Sequence, residues 1–93
     1  MYAIKATQQF LRQAKKFFKM HPDLKPAFGK LVEALAQDPF QHGLELHALA
    51  GRLDGLWAAS LTYKYRVTLT LVVTEKEIIL IDIGGHEEVY GGK

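Results

Sequence analysis

The side chains of this sequence best suited to chemistry are His86, Arg66, Tyr90 and His47. An imidazole has an unperturbed pKa of ~6.5, so it can give or take a proton under ordinary conditions. His86 follows Gly84-Gly85 at the end of an apolar run, where a side chain can reach a groove. The plain alternative is a solvated loop histidine. Arg66 alternates with Lys64 and Thr68. Its planar, permanently charged guanidinium can grip a phosphate through two parallel hydrogen bonds. Equally, it is a surface arginine, or one paired with a carboxylate such as Asp82. Tyr90 can stack on an unpaired base, a contact worth ~1–3 kcal/mol, or can pack the tail onto the fold. His47 stands in irregular sequence and ranks below His86. His21 and His42 adjoin breaks in the pattern and receive no role. Histidines scattered in this way, in a chain without cysteine, do not predict a metal site. No cofactor is expected.

A second group is basic. Arg12, Lys15, Lys16 and Lys19 repeat at helical spacing with no acid between them. Such a stripe is usually a solvated face. Its sharper readings are a sequence-independent contact with RNA, or attraction of an acidic protein segment. Net charge is only +2, but its distribution is uneven. Lys5, Lys25 and Lys30 join the stripe before His42, against Asp23, Glu33 and Asp38 alone.

The elements that must position these groups follow from periodicity. At 93 residues the chain predicts one domain, residues 1–93, with a single small core. Tyr2 to Lys5 reads as a short strand. Thr7 is a fair N-cap for a helix whose apolar stripe is Phe10, Ala14, Phe17 and Phe18. His21-Pro22 breaks it. Asp23 is expected to cap a second helix with Pro26 in its first turn and Leu24, Phe28, Leu31 and Leu35 as its stripe. Asp38-Pro39 ends that helix, and the two helices form a hairpin. Gln41 to Gly55 is irregular, punctuated by glycines. The period then becomes two. Strands are predicted over Trp57–Tyr63 and Tyr65–Val73, the second with Val67, Leu69 and Leu71 toward the core and Lys64, Arg66, Thr68 and Thr70 away from it. Thr74-Glu75-Lys76 is a hairpin turn. Ile78–Ile83, almost continuously apolar, reads as a central strand buried on both faces. The expected fold class is α+β, in the order β-α-α-β-β-β, with a mainly antiparallel sheet and the helical hairpin on one face.

Three motifs in the second half resemble a known family. They are Leu49-Ala50-Gly51-Arg52-Leu53-Asp54-Gly55-Leu56-Trp57, then Tyr65-Arg66-Val67, then Gly84-Gly85-His86-Glu87-Glu88-Val89-Tyr90. In this order they resemble the RelE/ParE superfamily, the toxins of bacterial toxin–antitoxin pairs. The resemblance implies an endoribonuclease that cuts messenger RNA on the ribosome without metal. A 2′-hydroxyl attacks the adjacent phosphate, one group takes its proton, another protonates the leaving oxygen, and a cation steadies the phosphorane. On that resemblance His86 and Tyr90 match catalytic positions, His47 matches one in a single subfamily, and Arg66 matches the phosphate contact. Ser60 and Lys64 stand where that subfamily places histidine and aspartate, so the site mixes subfamily features. Arg12, Lys15, Lys16, Lys19 and Lys64 become the expected RNA and ribosome contacts, and an antitoxin protein the expected partner.

Other readings remain open at this point. The superfamily also holds non-enzymatic poisons of DNA gyrase, and a degenerate member would only bind an antitoxin. The start, Met1-Tyr2-Ala3-Ile4-Lys5, carries no long apolar segment and no run is long enough to span a bilayer, so a cytoplasmic protein is expected.

Overall fold

Thr7 starts the first helix as its residue type predicts. Its hydroxyl accepts from the Phe10 N–H at 3.0 Å, satisfying one donor that an α-helix leaves free at its start. The computed structural model describes residues 1–85, so His86 and Tyr90 lie outside the described residues. β1 (Ala3–Ala6) runs into this cap, and α1 spans Gln8–Met20. Asp23 does not cap the second helix. A 3-10 turn over Pro22–Leu24 runs directly into α2 (Lys25–Gln37), and the turn's own bond, Lys25 N–H to the Pro22 carbonyl, takes the place of a side-chain cap. Pro26 sits in the first turn of α2, where its missing N–H costs nothing. Phe28 ties the helices together, with ring centroids 5.9 Å from Phe10 and 5.3 Å from Phe18.

The sheet has five strands in the order β1-β5-β4-β3-β2. β3 is Trp57–Ser60, β4 is Tyr65–Val72 and β5 is Glu77–Gly85. These pair antiparallel, while β1 pairs parallel to β5, so the sheet is mixed but mainly antiparallel. β2 (His47–Ala48) is an additional two-residue strand on the edge of β3, in a segment whose sequence reads as irregular. The Leu-x-Gly-x-x-x-Gly loop between β2 and β3 closes through Leu49 N–H to the Leu56 carbonyl at 2.9 Å. Gly51 (φ 69) and Gly55 (φ 95) both adopt left-handed backbone there, which accounts for their spacing in the motif.

The expected strand over Trp57–Tyr63 ends early. The N–H groups of Leu61 and Thr62 both donate to the Tyr65 carbonyl, at 2.9 and 3.2 Å, closing a turn that leaves Tyr63 96% exposed. Ile78–Ile83 also differs from expectation. Leu69 pairs with Leu80 but Thr68 with Asp82, so Ile81 is an extra residue, a bulge. The bulge shifts the alternation by one and returns Ile83 to the side of Ile78 and Leu80. The run therefore looks continuous in sequence while one face is the more deeply buried, with Ile79 and Ile81 only half-buried. β5 is interior, but β4 is the middle strand.

Val67, Leu69, Ile78, Leu80 and Ile83 join Phe10, Phe17, Leu31 and Leu35 in one buried cluster. Both helices therefore cover the same face of the sheet. The opposite face carries Ser60, Arg66, Ala58, Thr68 and their ladder partners. No helix among the described residues is long and apolar enough to cross a membrane.

Leu69 is fully buried at the centre of this cluster, and Tyr63 stands at the hairpin tip. Leu69→Ala is expected to cost about 2–5 kcal/mol in urea unfolding. Tyr63→Ala should stay within about 0.5 kcal/mol. Similar losses at both positions would contradict this assignment of core and turn.

Candidate nucleic-acid interface

The helix-free face is built in rows, because residues directly opposite one another on paired strands project to the same side. One row is His47–Ala58–Thr68–Asp82 and the next is Ser60–Arg66–Gly84. Two of the expected site residues, His47 and Arg66, thus share one surface. They lie two strands and two residues apart, which ladder spacing puts at about 12 Å between Cα atoms. Between them the floor is made of small side chains. Ala58 is buried, and the Thr68 hydroxyl is buried with no hydrogen-bond partner among the described residues.

Arg66 is half-buried, and its Nη1 donates to Ser60 Oγ at 3.4 Å. Ser60 in turn donates to the Thr62 carbonyl at 3.0 Å. The serine that departs from one subfamily's histidine therefore anchors the arginine to the β3–β4 turn. Arg66 makes no ion pair with a described carboxylate. Asp82 is engaged elsewhere: Oδ1 accepts from the Ile83 N–H at 2.8 Å, and Oδ2 faces Gln9 Nε2 at 3.4 Å. No carboxylate among the described residues competes for the guanidinium.

His47 is exposed at the sheet edge, and its Nδ1 lies 3.0 Å from the Glu45 carbonyl. A carbonyl only accepts, so Nδ1 is the protonated nitrogen of the neutral ring and Nε2 the basic one. Glu45 presents that carbonyl from a left-handed backbone (φ 51), a conformation non-glycine residues seldom adopt. At the far edge of the same face, Lys5 Nζ and Glu77 Oε2 form an ion pair at 2.8 Å. The hydrogen bond to Glu77 holds the Lys5 ammonium above its usual value.

The other expected residues are not gathered here. Arg12, Lys15, Lys16 and Lys19 are all exposed, but on α1, across the sheet from Arg66 and His47. Lys64 is exposed in the turn two residues before Arg66 and belongs to this end of the face. His86 and Tyr90, outside the described residues, follow β5 in sequence; β5 is the strand that flanks Arg66 through Gly84. Sequence reasoning gave His21 no role. Its ring packs against Phe17 and Tyr65 at 4.8 and 4.9 Å, and its Nε2 lies 3.4 Å from the Tyr65 hydroxyl. Only the inward phase of Tyr65 in the alternation hinted at such a partner.

No protein-family model and no curated protein matches the chain by sequence. Solved structures do match. YafQ from Escherichia coli superposes with a TM-score of 0.81 at 19% identity, covering 98% of this chain and 100% of its own. A metal-bound toxin from Helicobacter pylori gives 0.79 at 26% identity, over 96% and 99%. A YoeB/ParE toxin from Agrobacterium tumefaciens gives 0.76 at 14%, over 90% and 98%. YafQ also matches in its toxin–antitoxin complex with DinJ. The described residues therefore have the fold of the RelE/ParE-like toxins.

The Glu45 contact fixes a tautomer that can be read directly. Nitrogen chemical shifts of neutral His47 should show the proton on Nδ1 and not on Nε2. The opposite tautomer would remove the structural basis for a base at this position.

Proposed function

We propose that this domain, with its RelE/ParE-like toxin fold, is the toxin of a toxin–antitoxin pair and cleaves messenger RNA on the ribosome by metal-independent acid–base chemistry. The observation that carries this reading is the pairing of Arg66 and His47 on the one sheet face that no described helix covers. An RNA strand laid across that face meets a guanidinium already steadied by Ser60, free of carboxylate partners among the described residues. Arg66 grips the scissile phosphate and offsets charge as the phosphorane forms. Histidine supplies the proton transfers. His86 is assigned as the main acid or base, and His47, whose Nε2 is the basic nitrogen, as the second group. Tyr90 stacks on an unpaired base, and Lys64 meets the backbone beside the cut. The partner is a small antitoxin that orders as it wraps the domain, and the compartment is the cytoplasm, where ribosomes are.

The test is primer-extension mapping of messenger RNA cut on ribosomes, with thermal melts of each variant as a folding control. His86→Ala should lose about 10²–10⁴-fold in cleavage rate while keeping its fold. Arg66→Lys keeps the charge but not the two-pronged grip and should also fall. His47→Ala should cost less than His86→Ala. Growth arrest undiminished in folded His86→Ala, with no cuts by the parent protein, would reject the nuclease and favour a gyrase poison.

A further inference from the structure

The basic stripe of α1 is divided by the fold. Lys16 borders a cleft with Phe17, His21 and Tyr65 on one side of the helix. Lys15 and Lys19 border another, a groove of about 500 Å³ floored by Leu11, Ala14 and Phe18, with Lys25 at the start of α2 as its far bank. Leu11 is 52% exposed there, an apolar side chain set among cations. Phe18 is half-buried and held by Phe17 and Phe28, so the floor is fixed in place. α1 contains no acidic residue at all, and none of the three lysines makes an ion pair among the described residues.

A nucleic-acid backbone is served by the lysines but gains nothing from Leu11, Ala14 and Phe18, which would lie dry beneath it. A protein segment with apolar residues on one side and carboxylates on the other uses both features. The floor residues repeat at i, i+3 and i+7, the spacing that receives an amphipathic segment in a groove. The lysine rim selects its charge.

We propose that this groove is the docking site for an acidic amphipathic segment of the antitoxin, its apolar side chains on Leu11, Ala14 and Phe18 and its carboxylates toward Lys15, Lys19 and Lys25. The inference rests on the toxin–antitoxin reading above. It moves Lys15 and Lys19 from RNA contact to partner recognition. Inhibition then does not require the antitoxin's anchor to compete for the open face, which lies across the sheet.

The test uses the intact protein and the product of any small reading frame found adjacent to its gene, with binding measured at low and high salt. Leu11→Glu should raise Kd by at least about tenfold, because a carboxylate then sits on the apolar floor facing an acidic partner. The double variant Lys19→Glu/Lys25→Glu should lower the association rate and flatten its salt dependence. Leu11→Met should bind like the parent. Melting temperatures establish that each variant is folded. If the parent binds and both charged variants bind equally well, the groove is not the site. If they keep antitoxin affinity but lose co-sedimentation with ribosomes, the surface reads RNA and the proposal is overturned. If the parent itself does not bind the adjacent product, the toxin–antitoxin reading fails first, and the groove proposal with it.

Discussion

Two helices of 13 residues can roof only one face of a five-stranded sheet. Each is about 20 Å long, and five strands span about 19 Å, so the hairpin covers one side and, among the described residues, no helix covers the other. Every other feature of the domain is consistent with that limit. The roofed face takes the large apolar residues in strict alternation, down to the bulge at Ile81 that keeps Ile83 in phase. The face that no described helix covers carries small and polar side chains, with Ala58 and Thr68 buried and Ser60 and Arg66 half-buried. A flat, polar, half-protected surface with one anchored guanidinium suits an extended polyanion better than an enclosed small molecule.

How much of this was legible in the sequence depended on the range of the interaction that decides it. Thr7 as a cap, Pro26 in a first turn and the alternation after Tyr65 are local, and each is found where the residue types put it. Long-range pairings left weaker traces. Nothing in Ala3–Ala6 announces a parallel pairing with Glu77–Leu80, because residue type marks a strand without naming its partner or direction. β2 is two residues long, too short for any periodicity, yet it brings His47 onto the face of Arg66. The bulge disguised a one-sided strand as a two-sided one. Asp23 failed as a cap because a 3-10 turn had already satisfied the donors it would have served. Ser60 looked like a lost catalytic group. Its use became visible only when Arg66 came within reach across the hairpin.

The two sides of the domain then divide the work by charge and texture. On the open face a cation stands among hydroxyls and small side chains, where a phosphate can be gripped and turned over. On the helical side cations surround an exposed leucine and a half-buried phenylalanine, a combination that rewards a protein more than a nucleic acid. In the function proposed above, separation across the thickness of one sheet would let an antitoxin hold the domain from behind while a second part of it reaches the Arg66 face. A small domain with one modest core also gains stability from such a partner by mass action.

The central claim is that RNA lies on the face that holds Arg66 and His47. Its most direct test is a backbone amide titration of the protein with a short single-stranded RNA carrying a 2′-deoxy nucleotide at the cut position, so that binding proceeds without cleavage. The account predicts perturbed signals at Ala58, Ser60, Arg66 and Thr68, fading at high salt, with Leu11, Ala14 and Phe18 unmoved. Shifts concentrated along α1 with a silent open face would contradict it.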